Sequence, residues 1–294
     1  MKTCVIYDSV GEAAEQRTML AEALTAKGCA VVVAADKNGS FGGVVYMPHT
    51  AYPKDADAVI VWGHSGVPLI AHDKMVVAAT SIPERKYNHL NPLLIRAPLV
   101  CMSEWHAKQF AFAQHKHVIE PILLDVPERP APRQNRTFLY ASPSENGLEE
   151  TLRAWDSVSH EWPEAKLELA VSTEQYFVDP PPRIEWLGGL SQAALVKKMR
   201  EVEGLFYVNT VSEAFSTATA LAELTRARCH ILATCGLAGL AESVSTGVDR
   251  DHLSFLKRFE EAWDSPLDEK WYAKDVKDRR ASVQVEKWME VLFG

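Results

Sequence analysis

Two runs of alternating strand-like and helix-like segments, parted by one stretch that can be neither, constrain the fold of this chain more than any other feature. The first run opens with the apolar Cys4–Tyr7. It continues into Ala13–Lys27, where Met19, Leu20, Ala23 and Leu24 recur at helical spacing and Gly28 supplies a stop. Val31–Ala35, Gly43–Met47, Ala58–Trp62, Leu99–Met102 and Val118–Leu124 read as further strands. Helical material is expected around Pro68–Ala79 and Glu104–Gln114. Continuous apolar strands that alternate with helices belong to parallel sheets covered on both faces, so this run predicts a doubly wound α/β domain.

The stretch Pro127-Glu128-Arg129-Pro130-Ala131-Pro132-Arg133-Gln134-Asn135 is rich in proline and charge and cannot be helix or central strand. It predicts a linker, with the domain boundary near residue 126. Beyond it the alternation resumes. Thr137–Ala141, Lys166–Val171, Ile184–Leu187, Leu205–Val208 and His230–Thr234 read as strands, and Leu148–Trp162, Gln192–Glu201 and Ser216–Ala227 as helices. A second α/β domain is therefore expected over residues 127–276. In the tail, Val283, Val285, Trp288, Met289, Val291, Leu292 and Phe293 form an apolar stripe, which predicts a docked helix over 277–294.

With 294 residues, each of the two domains is large enough to bury its own core. The net charge of −8 falls almost wholly in the back half, and an acidic total argues against broad nucleic-acid binding, which depends on neutralising phosphates. Five scattered cysteines, odd in number and mostly set in apolar runs, read as reduced core thiols. No run of eighteen residues is apolar and uncharged, and the chain enters a strand-like segment directly, so no integral membrane segment and a cytoplasmic location are expected.

Three segments carry a family likeness. The first is Phe138-Leu139-Tyr140-Ala141-Ser142-Pro143-Ser144-Glu145-Asn146-Gly147-Leu148-Glu149-Glu150-Thr151-Leu152-Arg153-Ala154-Trp155, with Trp162-Pro163-Glu164-Ala165-Lys166-Leu167 downstream. The second is Ile184-Glu185-Trp186-Leu187-Gly188-Gly189-Leu190-Ser191-Gln192-Ala193-Ala194-Leu195. The third runs from Val211-Ser212-Glu213-Ala214-Phe215-Ser216-Thr217 through Glu223 and Cys229–Thr234 to Gly239-Leu240-Ala241-Glu242-Ser243-Val244. In order and spacing they resemble the nucleotide-sugar-dependent GT-B glycosyltransferases of the "glycosyl transferases group 1" type. The likeness covers about residues 137–244, and the front half resembles the family in layout only.

That resemblance implies two Rossmann-like doubly wound domains facing a cleft, the back one binding the donor and the front one the acceptor. The final helix is expected to return to the front domain. The implied chemistry is transfer of a sugar from a nucleoside diphosphate sugar, UDP-sugars first, without metal or other cofactor and with retention of configuration. It assigns the donor to Ser142, Asn146, Gly147, Leu190, Phe215, Ser216 and Thr217, and a catalytic contact to Glu213; His64, between glycines at the end of a predicted strand, is a second catalytic candidate on its own context. Gly11 and His106 fall to a phosphate or acceptor loop.

The residues support two readings at several of these positions. Ser216 and Thr217 begin a predicted helix, where a hydroxyl either caps the helix or meets a phosphate. Glu213 either accepts hydrogen bonds from sugar hydroxyls or is a carboxylate favoured by the helix dipole. Gly11, in Val10-Gly11-Glu12, makes a turn or keeps the backbone close to ligand. His64 ends a predicted strand among glycines, and His106 opens the next helix. His115-Lys116-His117 lacks a third ligand nearby and reads as a solvated turn.

Two departures from the pattern stand out. Leu221 occupies the place of the family's second glutamate, the next one being Glu223. Asn146 stands where a basic residue would clamp the diphosphate, leaving Ser142, Arg136 or Lys197 to replace it. They keep open a catalytically inactive GT-B module that binds a partner or glycan, and, less well supported, an epimerase or phosphorylase on the same scaffold. The acceptor is not legible: a glycan, lipid-linked sugar, protein, small molecule or modified DNA base all fit.

Overall fold

The computed structural model describes residues 1–8, 14–35, 38–63, 72–81, 96–126, 134–172, 182–211, 213–233, 248–249, 251–263 and 279–294. They divide into two compact units, unit 1 being Met1–Leu123 with Arg280–Gly294 and unit 2 being Leu124–Arg279.

Unit 1 contains β1 (Thr3–Asp8), α1 (Ala14–Ala26), β2 (Ala30–Ala34), β3 (Gly39–Phe41), β4 (Val44–Met47), β5 (Ala58–Trp62), β6 (Met75–Ala78), β7 (Leu99–Cys101), α2 (Glu104–Gln109) and β8 (Lys116–Val118). The strand order is β3-β4-β2-β1-β5-β6-β7-β8, and only β3 runs antiparallel. Every residue of β5 and β6 is buried, as strands covered on both faces require. The one hairpin, β3 to β4, turns at Gly42 and Gly43, both with positive φ (59° and 79°), the backbone that a tight two-residue turn demands.

Three expectations change here. Met75–Ala78 is a strand, not helix: Met75-Val76-Val77-Ala78 pairs with β5 and β7, and its adjacent β-branched residues suit a pleated surface. Residues 68–71 of that expected helix lie outside the described ones. Val118–Leu124 is not a strand beyond Val118, since Pro121 offers no N–H for a ladder. The strand sits earlier, so Lys116 and His117 belong to an exposed edge strand rather than a turn, where their charge and polarity discourage pairing with another chain.

Unit 2 contains β9 (Gln134–Tyr140), α3 (Leu148–Glu161), β10 (Lys166–Leu169), β11 (Ile184–Trp186), α4 (Gln192–Glu201), β12 (Val202–Asn209), α5 (Thr217–Leu224), β13 (Arg228–Ala233), β14 (Val248–Asp249) and α6 (His252–Trp263). Its sheet is wholly parallel in the order β11-β10-β9-β12-β13-β14. Phe138, Trp155, Phe206, Phe255 and Phe259 meet in edge-to-face and tilted pairs in its core, with centroids 5.1–6.4 Å apart. α6 was not anticipated, although Phe255 and Phe259 stand one helical turn apart. Of the expected linker, 127–133 lie outside the described residues, while Gln134 and Asn135 already belong to β9.

The last helix, α7 (Ala281–Phe293), belongs to unit 1. Its Val285, Trp288 and Leu292 are buried in one cluster with Ile6, Leu20, Leu24 and Val33. Each such side chain contributes roughly 1.5–3 kcal/mol by leaving water. The four described cysteines are buried thiols, and desolvation pushes those of Cys4, Cys101 and Cys229 up to about 12, so they are inert core groups.

Trp288→Ala should cost unit 1 about 3–5 kcal/mol through the cavity it leaves. The check is amide hydrogen exchange in β1, β2 and β5, where protection should fall; retained protection would show that α7 does not support that core.

Candidate active site

A doubly wound sheet opens a crevice where neighbouring strands send their crossovers to opposite sides, and ligands meet the carboxyl ends of the strands there. In unit 2 that point lies between β9 and β12, because β10 and β11 extend the sheet one way from β9 and β13 and β14 the other. The carboxyl-terminal residues there are Tyr140 and Asn209. A short 3-10 turn, Ser144–Asn146, leads from β9 into α3, and Glu213 follows β12.

Gly147 sets the height of this turn. Its φ of +110° is a left-handed value, and a Cβ built on it would collide with the backbone carbonyl oxygen of Val208 in β12. Thr151 fastens the same contact: its Oγ1 donates to the Gly147 carbonyl (2.7 Å) and accepts from the Val208 amide (3.0 Å). The turn is thereby held against the end of β12.

The polar side chains above this contact form a directed network. Asn209 Nδ2 donates to Tyr207 Oη (2.7 Å), and so does Ser142 Oγ (3.1 Å). Tyr207 Oη in turn donates a hydrogen bond to Glu213 Oε1 (3.1 Å). Asn146 Nδ2 donates to Ser142 Oγ (3.3 Å) and to the same Glu213 oxygen. Both bonds to Glu213 fall on Oε1, and among the described residues Oε2 takes none.

Burial raises the Glu213 carboxyl above its ordinary range, while the hydrogen bonds from Tyr207 and Asn146 oppose that rise. Burial raises Tyr207 and Tyr140 as well, with Glu213 adding to the effect, so both remain protonated donors. The Tyr140 hydroxyl donates to the Pro143 carbonyl (2.8 Å), bracing the turn from below.

Of the residues that the sequence singled out, the structure thus brings together Ser142, Asn146, Gly147 and Glu213. Ser216 is buried as the N-cap of α5, its Oγ accepting from the Thr219 amide (3.4 Å) and from Thr219 Oγ1 (3.0 Å), so its hydroxyl caps the helix. Thr217 is the first residue of α5, and Phe215 packs half-buried against the core of unit 2. Leu190 lies in the turn after β11, just before Ser191, the N-cap of α4.

Glu223, the shifted glutamate, is buried and ion-paired with Arg279, a structural position. Arg136 lies towards the opposite end of β9, paired with Glu164, and Lys197 is exposed on α4. Neither joins the network. Sequence reasoning missed Tyr207 and Asn209, which look like members of a core strand. The available signal was period two: Tyr207 and Asn209 share one face, opposite Phe206 and Val208.

In unit 1 the corresponding switch point lies between β1 and β5, where Asp8 and Trp62 stand side by side. Gly11 and His64, which follow these strands, lie outside the described residues. Asp8 is buried against Arg17, and His49 Nε2 donates to the Asp8 carbonyl (2.6 Å). His106 is fully buried. Its Nδ1 accepts from the Met102 amide (3.1 Å), so the ring proton is on Nε2, which donates to the Ser81 carbonyl (3.0 Å). Both nitrogens are engaged by backbone, which makes His106 a brace between two segments and corrects its assignment to a ligand loop.

No protein-family model matches the sequence, and no curated protein does. Solved structures do. A glycosyltransferase from Rickettsia africae aligns over 99% of this chain and 97% of its own, with a TM-score of 0.74 at 10% identity. HepE from Anabaena, solved in complex with UDP-glucose, aligns over 99% of both chains with a TM-score of 0.70 at 14% identity. AviGT4, a glycosyltransferase involved in avilamycin A biosynthesis, covers 99% of this chain and 97% of its own with a TM-score of 0.72 at 13% identity. The chain has the GT-B fold. Within GT-B chains the two Rossmann-like units are the repeated element, and here each supplies its own parallel sheet and its own switch point.

One property of this GT-B chain concerns charge. The segments 141–147, 170–182, 187–191, 210–216 and 234–247, which leave the carboxyl ends of β9, β10, β11, β12 and β13, contain no lysine or arginine. They do contain Glu145, Glu174, Asp179, Glu213 and Glu242.

Gly147→Ala should destabilise unit 2 by at least about 2 kcal/mol, because it adds both left-handed strain and a backbone collision. Denaturant unfolding checks it; a variant as stable as the parent would mean that the turn does not rest on β12.

Proposed function

We propose that this chain is a glycosyltransferase that takes its sugar from a nucleoside diphosphate sugar, UDP-sugars first, bound by unit 2 at the carboxyl ends of β9 and β12. The observation that carries the reading is Glu213, which Tyr207 and Asn146 pin through Oε1 and whose Oε2 bonds none of the described residues and suits sugar hydroxyls. The amides at the start of α3, beyond Gly147, suit a diphosphate oxygen. Similarity in fold to glycosyltransferases, one of them solved with UDP-glucose, supports the same reading.

In the reaction, the bond from the anomeric carbon to the diphosphate breaks and the acceptor oxygen bonds that carbon. The acceptor proton leaves with the nucleoside diphosphate. Retention of configuration follows if both events use one face of the sugar. Backbone amides and hydroxyls stabilise the leaving group in this scheme, so it calls for neither a metal nor another cofactor. Unit 1 takes the acceptor, whose class stays open among a glycan, a lipid-linked sugar, a protein, a small molecule and a modified DNA base. No helix among the described residues is long and apolar enough to cross a membrane, and we place the protein in the cytoplasm.

The absence of lysine and arginine from the five segments above favours one second reading, an inactive GT-B module that holds a neutral glycan. Thermal shift separates the two. UDP or UDP-glucose at about 100 times its Kd should stabilise the protein by about 2.7 kcal/mol, against no shift for the inactive module. In the glycosyltransferase reading, Glu213→Ala folds normally but loses about 1.5–3 kcal/mol of transition-state binding, roughly ten- to hundredfold in turnover. Full activity in that variant would reduce Glu213 to a helix-end carboxylate.

A further inference from the structure

We infer that Tyr207 is the positioning residue of this site, the group that fixes Glu213 for its ligand. The inference rests on the reading of Glu213 as the donor contact and adds a residue to it.

The argument is one of saturation. A phenol has one proton to give and two lone pairs to fill. Tyr207 Oη fills both lone pairs, from Asn209 Nδ2 (2.7 Å) and Ser142 Oγ (3.1 Å), which leaves its proton a single destination, Glu213 Oε1 (3.1 Å). Tyr207 rides on β12, a central strand between β9 and β13, and is 1% exposed. Its ring stands edge to face with Tyr140 at 5.6 Å, which fixes the ring plane as well.

The rival for this role is Asn146, which reaches the same oxygen. Asn146 sits at the end of a one-turn helix on the surface side of the network, and its second bond goes to Ser142, which itself donates to Tyr207. Both chains of donors therefore converge on Tyr207 and Glu213. A carboxylate held only by uncharged donors has its position set by hydrogen-bond direction rather than by a cation, and a phenol anchored in a central strand supplies that direction.

Among the described residues, the titratable groups that interact with Glu213 are Tyr207 on β12 and Tyr140 on β9. The hydrogen bond from Tyr207 lowers the Glu213 pKa, so removing it must raise that pKa. Phenylalanine keeps the volume of the ring and removes only the hydroxyl.

The test is carbon-13 NMR titration of the side-chain carboxyls in the full-length protein without ligand, with the Glu213 signal assigned by its loss in Glu213→Gln. In Tyr207→Phe the Glu213 midpoint should move up by about one pH unit. Asn209→Ala, which leaves the phenol in place but removes one of its donors, should move it up by less and keeps the inference testable if Tyr207→Phe unfolds. A Glu213 midpoint that stays put or falls in a folded Tyr207→Phe, or in Asn209→Ala where only that variant folds, overturns the inference. UDP binding, measured separately by thermal shift, reports on the proposed function and not on this relay.

Discussion

Two parallel strands run the same way, so the chain that leaves the end of one must return the full length of the sheet before it can begin the next. Both units obey that constraint: every pairing within the two sheets is parallel except that of β3 with β4. The constraint also decides where ligands can bind. With β1 and β9 each flanked by neighbours reached in opposite directions, the switch points lie at the carboxyl ends of β1 and β5, and of β9 and β12. In unit 2 the close approach of Gly147 to β12, fastened by Thr151, seats the turn after β9 on that edge. Ser142, Asn146, Tyr207, Asn209 and Glu213 come together because of it.

The site so formed has an unusual charge balance. The Glu213 carboxylate belongs to a network with a phenol, two side-chain amides and a hydroxyl, none of them charged. Hydrogen bonds from neutral groups are directional and individually modest, and they lose less to salt than ion pairs do. Such a site selects by the placement of hydroxyls, which suits a sugar. A diphosphate must be met by backbone amides, for which the left-handed Gly147 at the start of α3 is well placed.

Much of this was legible in the sequence, and the reasons for the rest are physical. Gln192–Glu201 reads as a helix from its apolar spacing, and the structure shows a helix with the same bounds, capped by Ser191. Met75–Ala78 reads wrongly because a short buried strand and a stretch of apolar helix look alike until pairing decides between them. Val118–Leu124 fails for a local reason, Pro121. At the site, Ser142, Asn146, Gly147 and Glu213 stood out through their loop positions, though a sequence separation of 67 between Asn146 and Glu213 hides their contact. Tyr207 and Asn209 did not stand out. A tyrosine in a strand between Phe206 and Val208 looks like core, and only the sheet order shows that it emerges at a switch point. His106 erred the other way, since a histidine at a helix start looks functional until its two nitrogens are found bonded to backbone.

The central claim is that the β9–β12 edge of unit 2 receives the nucleotide sugar. Amide hydrogen exchange with and without UDP-glucose tests it directly, because bound ligand slows exchange where it orders the backbone. Protection should rise over residues 142–151 and 207–217 of unit 2. UDP-glucose that binds but leaves both segments unchanged, while protecting another part of the chain, would contradict the account.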